Sequence, residues 1–74
     1  MIDGRRKQIL KEFGKNLKRI RKEKKIALRE LAAMAEMEHS QISKIEAGTI
    51  NLTLTTIVSL ADALEVPTVA LIGK

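Results

Sequence analysis

The sequence predicts an all-α fold, a compact bundle of five short helices. Apolar residues recur at helical spacing, no segment alternates like a half-buried strand, and helix-starting and helix-stopping residues fall between the periodic stretches. Ile9, Phe13, Leu17 and Ile20 mark the buried stripe of a first helix that begins between Arg5 and Ile9 and ends near Lys24, with Lys11, Lys15, Lys18 and Lys22 on its other faces. Leu28 to Ala35 reads as a second helix, Glu36-Met37-Glu38 as a tight turn, and His39 to Glu46 as a third helix. Gly48 supplies the left-handed conformation that often ends a helix. Thr49 to Leu52 is a loop, and Thr53 is the expected N-cap of a fourth helix whose inner stripe is Ile57, Leu60, Ala61 and Leu64. Pro67 fits the first turn of a fifth helix running through Ile72. No linker, repeat or low-complexity tract divides the chain, so residues 1–74 read as one domain.

Composition narrows the function. A chain of 74 residues buries only roughly 60 % of its unfolded surface, so its stability is modest and a partner subunit would add to it. The absence of cysteine excludes a disulfide framework and a thiolate metal site, and is compatible with a reducing, cytoplasmic setting. No apolar run approaches the roughly 20 residues that span a bilayer, and no secretory signal is visible behind Arg5-Arg6-Lys7. Phe13 is the one aromatic residue, which argues against single-strand binding by base stacking. Charge is uneven: residues 1–37 hold 12 Lys/Arg and 5 Asp/Glu, a net of +7, and residues 38–74 hold 2 and 4, a net of −2. A basic first half attracts polyanions, although such a face also serves simple solubility.

Leu31, Ala35, Met37, Ile42 and Ile45 form an apolar seam between the second and third helices, while His39, Ser40, Ser43 and Lys44 point away from it. Two short helices joined by a tight turn, with a polar outer face on the second, make a helix-turn-helix over residues 28–46. Around it lie Arg19-Ile20-Arg21-Lys22, Leu31-Ala32, Ile42-Ser43-Lys44-Ile45-Glu46-Ala47-Gly48, Asn51-Leu52-Thr53-Leu54, Ile57, and Leu60-Ala61-Asp62-Ala63-Leu64-Glu65-Val66. This ordered pattern, from Phe13 through Leu71, resembles the phage-repressor/Cro-like (XRE) helix-turn-helix family, whose fold is the lambda-repressor-like DNA-binding domain. Residues 1–12 fall outside it, as an N-terminal extension of helix one.

The resemblance implies double-stranded DNA as the partner, with His39, Ser40 and Lys44, and also Gln41, reading bases in the major groove. Ser43, Thr49 and Asn51, with backbone amides of the loop after Gly48, become candidates for phosphate contacts. Arg21 and Glu46 are matched to a pair that links helix one to the end of helix three. Family members usually bind as homodimers on near-palindromic sites. Here Ile50, Leu52, Val58, Val69 and Ile72, with the apolar 66–74 segment, are the expected interface. Several positions depart from the pattern. Glu36 stands where the turn usually has Gly, at a conformational cost of roughly 1–2 kcal/mol; Lys25 stands where a Gly often closes helix one. Ala27 replaces a capping Ser or Thr, Leu28 replaces a Gln that touches DNA backbone, and Glu38 takes a capping position, where it either caps or accepts from a cytosine.

No enzyme is expected. There is no cysteine nucleophile, no His–carboxylate constellation and no nucleotide-binding glycine pattern, and with His39 as the sole histidine the chain offers no metal site and requires no cofactor. The expected function is a sequence-specific transcriptional regulator, most simply a repressor. A restriction–modification controller and an antitoxin whose residues 1–12 hold a toxin are variants of the same class. A protein-interaction adaptor that does not read DNA is the alternative from another class. A basic amphipathic helix on a membrane is disfavoured, because Phe13, Leu17 and Ile20 are needed by the core.

Overall fold

The computed structural model describes residues 2–72; Met1 and the last two residues of the 66–74 segment lie outside that range. Five helices run in order: α1 (Ile2–Glu23), α2 (Leu28–Met34), α3 (His39–Ala47), α4 (Leu54–Leu64) and α5 (Thr68–Ile72). Among the described residues there is no strand. The core is a single cluster to which every helix contributes: Phe13, Leu17 and Ile20 from α1, Leu31 and Ala32 from α2, Ile42 and Ile45 from α3, Leu60, Ala61 and Leu64 from α4, and Leu71 from α5. Ala32 is buried where α2 meets α3, whereas Ala33, one position on, is exposed.

Helix α1 starts earlier than its apolar stripe predicts. At 22 residues it is about 33 Å long, close to the 36 Å long axis of the molecule. It therefore overshoots the bundle, and Ile9, expected in the buried stripe, is 53 % exposed. Periodicity places a residue on the core-facing side of a helix. It does not say where along the axis the core stops.

Four helices end in one way. After α1, α2, α3 and α4 the chain passes through a left-handed residue, Lys25 (φ 59°), Glu36 (φ 55°), Gly48 (φ 75°) and Glu65 (φ 57°). The next N–H then reaches back across the last turn: Ile26 to Arg21 O, Met37 to Ala32 O, Thr49 to Lys44 O and Val66 to Ala61 O, at 2.8–3.1 Å. This satisfies carbonyls that a helix end leaves orphaned. Ile26, Met37 and Val66 each pack on the core immediately after the turn. That packing holds a glutamate or lysine in a backbone region that favours glycine.

The helix starts are less uniform. Thr53 caps α4, its hydroxyl accepting the Thr56 N–H at 3.2 Å. Ala27 has no acceptor to offer, but the reciprocal half of a capping box is present: the Glu30 carboxylate accepts the Ala27 N–H at 2.9 Å. Glu38 occupies the N-cap position of α3 without a side-chain cap bond. Its carboxylate therefore does not cap in the hydrogen-bonding sense; it supplies this helix end with charge alone. Pro67 stands just ahead of α5 rather than in its first turn, and its carbonyl accepts the Ala70 N–H at 2.9 Å.

The far end of α5 is held by a residue that the sequence pattern does not single out. The Asn16 amide donates to the carbonyls of Ala70 at 2.7 Å and Leu71 at 2.8 Å. It thus ties the middle of α1 to the end of α5, while its own oxygen accepts from Arg19. Asn16→Ala is expected to destabilise the domain by about 1–3 kcal/mol, read as a lower denaturation midpoint with an unchanged m-value. An unchanged midpoint would remove the clamp.

Candidate nucleic-acid interface

The outer face of α3 follows from helical geometry. Ile42 and Ile45 are buried and Glu46 is turned inward. At about 100° per residue, the opposite side falls on Ser40, Ser43, Lys44 and Ala47, all exposed. His39 and Gln41 flank this strip; His39 is exposed and Gln41 is half-buried. None of His39, Ser40, Gln41, Ser43 or Lys44 makes a side-chain hydrogen bond among the described residues, so each retains its full capacity for an outside partner. An imidazole, an amide, two hydroxyls and an ammonium on one short helix can donate to base acceptors or phosphate oxygens.

What aims this face is the inner side of the same helix. Arg21, 8 % exposed, meets Glu46 in a two-pronged contact, Nε to Oε2 at 2.7 Å and Nη2 to Oε1 at 3.1 Å. Its remaining nitrogen, Nη1, donates to the Ile26 carbonyl at 2.9 Å. One guanidinium therefore joins α1, the α1–α2 turn and the end of α3. The planar fork fixes orientation as well as distance. A second restraint is a close backbone approach. A Cβ built on Gly14 would lie 2.4 Å from Glu46 O and 2.5 Å from Ile45 O. Only glycine permits this crossing of α1 and α3, a role that no local sequence pattern around Gly14 announces.

The loop after α3 is more committed than the sequence implies. The Thr49 N–H is taken by Lys44 O at 3.0 Å, and the Thr49 hydroxyl donates to the same carbonyl at 3.2 Å. Its one hydroxyl proton fastens the helix end, so a phosphate contact by this hydroxyl requires that bond to be exchanged. Asn51 is exposed and makes no hydrogen bond among the described residues. At the start of α2, Leu28 is half-buried on the core. The Glu30 carboxylate accepts the N–H of the N-cap residue Ala27 and places a negative charge at this helix start.

The expected interface residues divide in two. Ile50 and Leu52 are half-buried against the core, while Val58, Val69 and Ile72 are 39 %, 69 % and 58 % exposed. Leu54, outside the expected interface set, is 70 % exposed. Ile72 also lines an apolar groove with Ile9, Leu10, Phe13, Leu52 and Ile57. Among the described residues no cluster of His, Asp and Glu is arranged to hold a metal, and no helix is long and apolar enough to cross a membrane.

Comparison with known proteins agrees with this geometry. The restriction-modification controller protein C.AhdI from Aeromonas hydrophila superposes with a TM-score of 0.82 at 31 % identity, over 84 % of this chain and 94 % of that one. An HTH_3 family transcriptional regulator from Vibrio cholerae superposes with a TM-score of 0.86 at 23 % identity, over 89 % of this chain and 37 % of that one, a likeness of fold. No curated protein sequence matches the chain. A family model described as HTH_3, helix-turn-helix, matches residues 17–71. That match spans well over half of the sequence, and the chain accordingly belongs to the HTH_3 family, the XRE-like helix-turn-helix class of DNA-binding transcription regulators.

Proposed function

We propose that two copies of this chain bind a near-palindromic operator in duplex DNA and act as a cytoplasmic repressor by occupancy, excluding polymerase or positioning it. The observation that carries the reading is the outer face of α3, exposed and without internal partners, on a helix whose inner side is pinned by Arg21 and Glu46. In this reading Ser40 and Lys44 are the central base-reading residues. Lys44 donates to guanine O6 and N7, Ser40 donates or accepts at several base edges, and His39 and Gln41 work from the flanks. Ser43 and Asn51 donate to phosphates, with Thr49 acting through the conformation of the loop.

Val58, Val69 and Ile72, with the comparably exposed Leu54, supply the dimer surface, and Ile50 and Leu52 support it from below. A two-fold pair places its recognition helices about 34–36 Å apart, one turn of duplex. Within the regulator class, the likeness to C.AhdI over nearly that protein's whole length favours a controller of a restriction–modification system over an antitoxin. The adaptor alternative draws part of its weight from Leu28, and Leu28 packs on the core rather than presenting an apolar surface outward.

The test is selection of bound duplexes from a random pool, expected to return a two-fold-related consensus. Lys44→Ala is then expected to relax preference at one position of each half-site, by about 1–3 kcal/mol for a bidentate contact. Its melting temperature is expected to stay unchanged, because Lys44 holds nothing within the domain through its side chain. A pool without enrichment would overturn the reading.

A further inference from the structure

The family model matches from residue 17, and residues 2–16 of α1 precede that match. We propose that the N-terminal half of α1 forms a second phosphate-binding site, one that clamps the DNA backbone beside the stretch read by α3. The proposal rests on the DNA-binding reading and extends it to residues ahead of the family-model match.

The geometry is a groove of about 610 Å³, with Arg6, Lys7 and Lys11 on one wall and Gly48, Thr49 and Asn51 on the other. Arg6, Lys7 and Lys11 are exposed, and none makes an ion pair or side-chain hydrogen bond among the described residues. That contrasts with Arg19, which spends its charge on Glu23 at 3.1 Å along the same helix. No carboxylate stands among the described residues lining the groove. Three cations without an ion pair among the described residues, opposite an Asn51 amide that is free to donate, suit an anion with several acceptor oxygens.

The two walls are held at a fixed separation. A Cβ on Gly48 would lie 2.8 Å from the Lys11 Cα, so the α1 backbone runs directly over the left-handed turn that closes α3. This approach makes the groove continuous with the end of the recognition helix, and the overshoot of α1 past the core gives it the length to form a wall. A backbone phosphate fits this site better than an acidic protein surface does, because the cations converge on the loop that follows α3. Duplex DNA seated on α3 presents a continuous line of phosphates to that loop.

The experiment is duplex binding measured against salt, using the selected operator and the full chain. The variant is Arg6→Gln/Lys7→Gln/Lys11→Gln, which keeps good helix formers at exposed positions. A melting curve checks its fold. The slope of log K against log salt is expected to flatten by about 0.9 for each phosphate no longer neutralised, a change of about 1–3, with base preference unaltered. Ethylation interference is expected to lose its signal at the phosphates flanking each half-site and to keep it elsewhere. An unchanged slope in a folded variant would overturn the clamp while leaving the operator reading intact. A wild-type chain with no salt-dependent duplex binding would overturn both.

Discussion

Glu46→Ala is expected to produce the largest loss among single side-chain truncations on α3 outside its apolar stripe. Removing the carboxylate leaves the Arg21 guanidinium buried with the Ile26 carbonyl as its remaining partner. Breaking one side of a buried pair costs about 3–5 kcal/mol, because the surviving charge is desolvated without compensation. For a domain of this size each kcal/mol moves the melting temperature by about 4–8 °C, so the expected fall is at least about 12 °C, measured by circular dichroism. Operator affinity should fall with it, measured well below the transition, because α3 loses the tie that sets its angle. Glu46→Gln keeps one acceptor in place and is expected to fall between the two. A melting curve unchanged in Glu46→Ala would strip the pair of its structural role. Loss of stability without loss of affinity would show that Gly14 and the core orient α3 unaided.

Gly14→Ala sets two rules against each other. In an exposed helix interior the change from glycine to alanine stabilises by about 1 kcal/mol. Here the added methyl would meet two backbone carbonyl oxygens at 2.4 and 2.5 Å, and neither can turn away as a flexible side chain could. Helices α1 and α3 must separate, and the expected outcome is a loss of about 3 kcal/mol or somewhat more, at the upper end for overpacked cores. Gly4 is the internal control. It lies on the same helix with nothing within 4 Å of a built Cβ, so Gly4→Ala should be neutral or mildly stabilising. Denaturant titration of both variants decides the matter, and a stabilised Gly14→Ala would mean that the crossing is looser than the distances indicate.

The parts of this fold legible in the sequence are those fixed by local chemistry. Leu17, Leu31, Ile42, Ile45, Leu60 and Leu64 announce themselves by spacing and are all fully buried. Gly48 and Thr53 mark a helix end and a helix start through conformational and hydrogen-bonding preferences that act within a turn. The left-handed residues Lys25 and Glu36 are legible only because the family resemblance puts glycine at those places; Glu65 has no such prompt, and nothing in its side chain marks the turn. What stays hidden is what depends on distance through space. Ile9 has the right phase but lies beyond the end of the core. Gly14 is chosen for a neighbour some thirty positions away, and Asn16 for carbonyls more than fifty positions away. The outer face of α3 is legible because it is the complement of a strong apolar stripe. The commitment of the Thr49 hydroxyl is not, since a loop residue's composition does not reveal where its proton goes.

The separation of duties on α3 bears on how a protein of this kind diversifies. The residues that fasten the helix, Ile42, Ile45 and Glu46, and those that face outward, Ser40, Ser43 and Lys44, share no side-chain hydrogen bond or ion pair. In the proposed reading, exchanging the outward set would alter what is recognised while leaving folding free energy nearly untouched, since partnerless surface positions usually shift stability by no more than about 0.5 kcal/mol. A lineage can therefore drift from one target sequence to another through folded intermediates, without a compensating change elsewhere. The scaffold is rigid where a substitution would cost stability and permissive where, in the proposed reading, it would change the target, a division suited to a regulator whose specificity can shift without loss of fold.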